Sequence, residues 1–232
     1  MSTPDSQGGK ARTAVVTGAS SGIGFAIARH LLAEGWNVVG NARSDARLVE
    51  AAHAAGFAGV GIRLLPARLG EAPFPMAVGG AMLRETLARL SDLGMAVHDI
   101  EIARIKPDFD AAALAGVLES AQALGARCLM VNVDDADLAR AADGIAVLAE
   151  RARPHGLSLG VEFMVYTAAR SLADAQRLVA AVPASDARIV VDALHFCRAG
   201  CQLSDLHAER IDRGFMQINA APAPRHPGLS PA

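Results

Sequence analysis

The chain has 232 residues, of which 52% are hydrophobic and 20% charged, and its formal net charge is −2. The apolar fraction excludes a wholly disordered chain and is enough for one sizeable core, while the near-neutral charge gives no bias toward nucleic acid or an anionic membrane. Aromatic residues make up 4%, with Trp36 and Tyr166 the single Trp and Tyr, which excludes a stacking platform for single-stranded nucleic acid.

Residues 1–12 read as a polar lead-in without the apolar stretch of a signal peptide, and no run of 18 apolar residues follows. The three cysteines, Cys128, Cys197 and Cys201, have no framework spacing. A soluble protein of a reducing compartment, the cytoplasm, is the expectation. Short β-branched runs predict strands at Thr13–Thr17, Asn37–Asn41, Gly59–Leu64, Ala96–Ile102, Arg127–Val133, Leu159–Met164, Arg188–Leu194 and Gly214–Asn219. Helical periodicity covers about 22–34, 46–55, 80–93, 111–124, 137–153 and 171–182, with a short stretch near 203–209. Gly35, Gly56, Gly94, Gly125 and Gly156 each follow a predicted helix, the usual place of a left-handed cap. The Pro-rich residues 221–232 read as an irregular tail. Strand–helix alternation implies parallel strands with right-handed crossovers. Eight strands is the number that closes an α/β barrel of the (βα)8 TIM type, although 232 residues is slightly short for one.

The first glycine cluster carries chemistry of its own. Thr17-Gly18-Ala19-Ser20-Ser21-Gly22-Ile23-Gly24 follows the strand TAVVT and opens the helix FAIARHLLAEG. Such glycines let the backbone turn tightly against a diphosphate at a helix N-terminus. Arg43, at the end of the second strand, suits the 2′-phosphate of NADP. Over 13–43 this strand–turn–helix resembles the short-chain dehydrogenase/reductase family, and the resemblance implies cofactor contacts from Gly18, Ser20, Gly22, Ile23, Gly24 and Arg43. That family's Tyr-x-x-x-Lys is missing, because Arg170 stands four residues after Tyr166. The segment therefore reads as a Rossmann-like βαβ building block rather than a working hydride-transfer site.

The second constellation lies further on. Glu162 sits in the apolar strand LSLGVEFM and Asp192 in RIVVDAL. A carboxylate inside a buried parallel strand costs several kcal/mol unless it is paired or bound to a cation. Either both carboxylates bind a hard metal, with Gln217 supplying a neutral oxygen, or they pair with interior arginines such as Arg63. His195, three residues past Asp192, reads as a substrate contact or as a satisfied core histidine. Glu101 either faces the pocket or caps the barrel mouth, His98 and Asp99 belong to strand packing, and Asp134 and Asp135 read as a helix N-cap pair. Arg198 reads as an anion ligand or as a plain loop arginine.

From about residue 45 to 220 the chain resembles the xylose-isomerase-like TIM barrels, on GFAGVGIRLLP, MAVHDIEIARIKPD, GVEFMVYTAARSLADA, VVDALHFCRAG and FMQINAA in that order. The resemblance implies a sugar or sugar-phosphate isomerase/epimerase using Mn or Mg. Its metal ligands would be Glu162, Asp192 and Gln217, with Glu162 also the base and His195 the substrate contact. The partner would be a small sugar-like molecule, with no nucleic acid and no membrane. The family's first strand and its eighth-strand Glu are missing, which implies impaired catalysis. In one reading the barrel is incomplete and its open edges invite dimer pairing; in the other, the strands at 13–17 and 37–41 take the eighth and first places and complete the barrel. Alternatives for function are an NADP-binding short-chain oxidoreductase and a chimeric scaffold without native catalysis. The expected divisions are lead-in 1–12, βαβ segment 13–44, barrel segment 45–220 and tail 221–232.

Overall fold

The computed structural model describes residues 13–17, 30, 33–34, 37–41, 53, 57–66, 73–207 and 209–218. Eight parallel strands close into one barrel in chain order: β1 (Thr13–Thr17), β2 (Asn37–Asn41), β3 (Gly59–Arg63), β4 (Ala96–Ile105), β5 (Cys128–Val133), β6 (Ser158–Glu162), β7 (Ala187–Asp192) and β8 (Ile211–Ile218). β1 pairs with β2 along its whole length and with β8 through Val15↔Gln217 and Val16↔Ile218. β2 meets β3 through Val39↔Gly59 and Gly40↔Val60. The two N-terminal strands thus fill the vacant places, and closure removes the edge-pairing route to a dimer.

Outside the sheet lie α1 (Ala81–Asp92), α2 (Ala115–Ala123), α3 (Leu138–Ala152), α4 (Leu172–Val179) and the short α5 (Ala193–Arg198) among the described residues. Gly94, Gly125 and Gly156 take φ of 61°, 70° and 72°, the left-handed values a glycine after a helix adopts without strain. α4 starts with a capping box, in which the Ser171 hydroxyl accepts from the Asp174 N–H and the Asp174 carboxylate accepts from Ser171 N–H. The cap of α3 differs from expectation. Asp137 accepts from the N–H groups of Ala139 and Arg140 at 3.1 and 3.2 Å. Asp135 is instead clamped by Arg140 through two 2.7 Å bonds, and Asp134 lies 3.6 Å from Arg104. Two guanidinium groups claim these carboxylates, so the next Asp in line is left to cap the helix.

Strand alternation sorts the core into two compartments. Leu129, Val131 and Val133 face the helices in the larger cluster, with Ile145, Leu148 and Leu178. Cys128 and Met130 face the barrel axis with Ile102, Val190 and Phe215. Gly160 belongs to the same interior layer. A Cβ there would stand 2.8 Å from Cys128 Sγ, 2.8 Å from Val190 Cγ2 and 3.0 Å from Met130 Sδ, so only glycine fits. Residues two positions further along each strand must also point inward, one layer nearer the C-terminal mouth: Asn132, Glu162, Asp192 and Gln217. No helix among the described residues is long and apolar enough to cross a membrane.

Candidate metal centre

Three consecutive strands deliver the inward layer. Glu162 ends β6, Asp192 ends β7, and Gln217 stands beside Asp192 in the β7–β8 register. Glu162, Asp192 and Gln217 are buried, at 5%, 1% and 3% exposure. Asp192 also starts α5, its Oδ1 accepting from the N–H groups of Leu194 and His195 at 2.8 and 3.1 Å. The strand expected to run to Leu194 therefore stops at Asp192. His195 rides on the first turn of a helix, which turns its ring back over the strand ends. Ligand atoms of Glu162, Asp192 and His195 all lie within 4.8 Å of one another.

The surroundings make this a strongly electronegative place. Glu162 Oε2 accepts from Asn132 Nδ2 at 3.1 Å, and Oε1 lies 3.8 Å from His195 Nε2. Arg63, an arginine that one alternative paired with these carboxylates, is bound to Glu101, Nη2 to Oε2 at 2.6 Å. Glu101 thus faces the pocket, and its other oxygen accepts from Gln217 Nε2 at 3.5 Å. Beneath it Asp99 is fully buried, its Oδ1 3.6 Å from His98 Nδ1, while the His98 ring stacks on Phe215 at 4.3 Å. Burial first, then the charge of Asp192, pushes the Glu162 carboxyl up to about 8; Glu101 and Asp99 add to the rise, and the Asn132 hydrogen bond opposes it. Burial lowers the His195 pKa against the pull of Asp192, with Arg198 adding to the fall. The Tyr166 phenol is raised, by burial first and then by Glu162 and Asp192.

The donor set suits a hard divalent cation. Two carboxylates and an imidazole converge in a buried cluster, and Gln217 stands beside Asp192 in the strand register. β1, which closes the barrel beside Gln217, has the sequence TAVVT and brings no carboxylate.

Two contributors had no role assigned from sequence, Asn132 and Tyr166, and the Arg63–Glu101 pair joins two residues that were read separately there. An amide in the otherwise apolar strand CLMVNV was the visible signal for the first. Tyr166 places its hydroxyl 3.2 Å from His195 Nε2, with the two rings edge to face at 5.3 Å. Its neighbours fix it there. Met164 N–H donates to Ala169 O at 2.9 Å, Thr167 Oγ1 donates to Met164 O at 2.9 Å, and Ala168 N–H donates to Val133 O at 2.9 Å. The expected cofactor residues Gly18, Ser20, Gly22, Ile23, Gly24 and Arg43 lie outside the described residues.

Comparisons with known proteins bear on the fold. The profile described as short chain dehydrogenase matches residues 12–70. No curated protein matches the chain. Among solved structures, a xylose isomerase-like TIM barrel/4-hydroxyphenylpyruvate dioxygenase fusion protein superimposes with a TM-score of 0.66 at 18% identity, over 94% of this chain and 33% of that one. An "IOLI protein with a binding zinc atom" gives 0.64 at 14% identity, over 88% and 72%. A sugar phosphate isomerase/epimerase from Parabacteroides distasonis gives 0.51 at 6% identity, over 94% and 92%. The chain therefore spans about a third of the fusion protein and most of the other two. These likenesses show the barrel fold. The profile described as Xylose isomerase-like TIM barrel matches residues 49–229, and the chain belongs to that family.

Proposed function

We propose that this chain is a divalent-metal-dependent isomerase or epimerase acting on a sugar or sugar phosphate. The observation that carries the reading is the buried cluster of Glu162, Asp192 and His195, with ligand atoms all within 4.8 Å of one another, while Arg63 is paired with Glu101. Glu162, Asp192 and the Gln217 amide oxygen would hold the cation, which when bound supplies Lewis-acid polarisation of neighbouring substrate oxygens. The zinc named for one of the structural neighbours supports this reading.

The protein's own groups then divide the work. Glu162, ionised once a cation offsets its crowding, takes the proton from the carbon beside a substrate carbonyl. Asn132, donating to Oε2, fixes the carboxylate so that Oε1 faces the pocket. His195 gives a proton to the substrate carbonyl oxygen as the enediol forms and recovers one from the neighbouring hydroxyl as it collapses, while Glu162 returns the carbon-bound proton to a substrate carbon. Asp192 orients His195 by holding its backbone N–H. β1 brings no carboxylate, so among the described residues Glu162, Asp192 and Gln217 would hold the cation.

Thermal unfolding with and without Mn²⁺ tests the reading. At about 100 times its dissociation constant the metal should add roughly 2.7 kcal/mol to the native protein and none to Asp192→Asn. Asn still accepts the two N–H bonds of the α5 cap, so that variant folds. Equal Mn²⁺ affinity in the native protein, Asp192→Asn and Glu162→Gln refutes the proposal. A shift with NADPH and none with Mn²⁺ would favour the dehydrogenase-like reading instead.

A further inference from the structure

We propose that Glu101, anchored by Arg63, is a positioning residue of the metal centre: it takes the amide nitrogen of Gln217 across the barrel interior and so leaves the amide oxygen for the cation. That role rests on the metal-centre reading above, since without a cation the oxygen has nothing to meet.

An amide side chain carries a donor and an acceptor of nearly the same size, and only its oxygen ligates a hard cation. Some neighbour must choose which end is offered. Gln217 stands beside Asp192 in the strand register, and a carboxylate attracts the nitrogen end. The structure shows that nitrogen elsewhere. Gln217 Nε2 donates to Glu101 Oε1 at 3.5 Å, the only hydrogen bond of this side chain among the described residues, and its oxygen accepts none. An ion-paired carboxylate has no proton to give, so Glu101 takes the nitrogen end and not the oxygen.

Glu101 is built to hold that position. Arg63, its register partner on β3, donates from Nη2 to Oε2 at 2.6 Å, which leaves Oε1 for Gln217. The Glu101 carbonyl accepts from the N–H groups of Leu64 and Leu65 at 3.1 and 3.3 Å, so its backbone is tied as well. The reach to Gln217 joins β4 to β8, strands that do not pair in the closed barrel. A second contact joins the same two strands: the rings of His98 and Phe215 stack at 4.3 Å. That stack fixes the separation of β4 and β8 next to the Glu101–Gln217 bond.

Calorimetric titration of the whole chain with Mn²⁺ tests the role as a double-mutant cycle. Glu101→Gln is nearly isosteric. Its oxygen keeps Arg63, and its nitrogen then faces Gln217 and binds the oxygen that a cation needs. Mn²⁺ affinity should fall roughly tenfold, the size of one charge-assisted hydrogen bond. Arg63→Met with Glu101→Leu removes the pair without changing net charge and should weaken Mn²⁺ binding similarly; it carries the test if Glu101→Gln does not fold. Gln217→Met has no amide to turn. In that background neither change should cost further affinity, whereas a direct effect of the Glu101 charge on the cation would persist. Native-like Mn²⁺ affinity in either folded variant, or a loss that persists beside Gln217→Met, overturns the role of Glu101 and leaves the metal centre standing. Absence of Mn²⁺ binding by the native protein overturns both.

Discussion

Glu162→Gln is the most informative single substitution. In the metal-free protein the Glu162 carboxyl is raised to about 8 from an ordinary value of 4.5. A group whose folded pKa is raised binds more protons folded than unfolded, so its effect on stability changes with pH. Below about 4.5 the carboxyl is protonated in both states and costs nothing. As pH rises through the interval the unfolded state ionises freely while the folded state resists, and stability falls; above about 8 the loss is complete. A difference of about 3.5 between 8 and 4.5, at about 1.36 kcal/mol per unit, amounts to about 5 kcal/mol. For a chain of this size that is roughly 10–20 °C in midpoint. Gln keeps an oxygen for the Asn132 hydrogen bond but cannot ionise. The variant should therefore match the metal-free native protein near pH 5 and unfold well above it at pH 9. Mn²⁺ should raise the native midpoint at pH 9 and leave the variant where it was. Parallel midpoint curves for the two metal-free proteins from pH 5 to 9 would refute the assignment of Glu162 as the strained carboxylate.

Three further outcomes test the frame around the site. Gly160→Val drives a side chain into Cys128, Met130 and Val190, and should cost about 1–3 kcal/mol in chemical denaturation; an unchanged midpoint would mean that the interior layer is not packed as described. Arg63→Met leaves Glu101 buried without its cation and should cost about 3 kcal/mol, whereas Arg63→Met with Glu101→Leu should recover most of it; a double variant no better than the single one would remove the pair from the account. Deleting residues 1–44 removes β1 and β2 and exposes the edges of β3 and β8, so the product should aggregate or lose its cooperative transition, and a monomeric, cooperative fragment would show that closure is dispensable.

The barrel was legible in the sequence because each strand is a short β-branched run between turn residues. β1 and β2 match their predicted bounds to the residue, and the closure they provide followed from counting strands and from the hand of a βαβ unit. The errors have local causes. β7 was carried past Asp192 because ALHF is as apolar as the strand before it, and only the side-chain cap at Asp192 marks the switch to α5. β4 runs on to Ile105 because ARI continues the pairing with β5 through Ala103↔Val131 and Ile105↔Val133, a register that no single strand reveals. The carboxylates of the site were legible because a charge in an apolar strand demands a partner. Which partner was not legible: Arg63 and Glu101 are 38 residues apart, Tyr166 and His195 are 29, and the sequence offers many arginines. Such choices are settled by register across the barrel, not by spacing along the chain.

The proposed ligands and the strands that close the barrel come from different parts of the chain. Glu162, Asp192 and Gln217 come from β6, β7 and β8, adjacent strands within one continuous stretch of sequence. Their mutual distances depend on two strand pairings and on the α5 cap, none of which involves β1 or β2. The N-terminal strands contribute closure, through two residue pairs at each seam, and thereby the dry interior that makes the carboxylates cation-seeking. What they cannot contribute is a carboxylate opposite Asp192, because Val15 and Val16 stand beside Gln217 and Ile218. Closure and the proposed ligand set are therefore supplied by different strands. On the proposed function, β1 and β2 close the barrel while a cation would take its protein ligands from β6–β8.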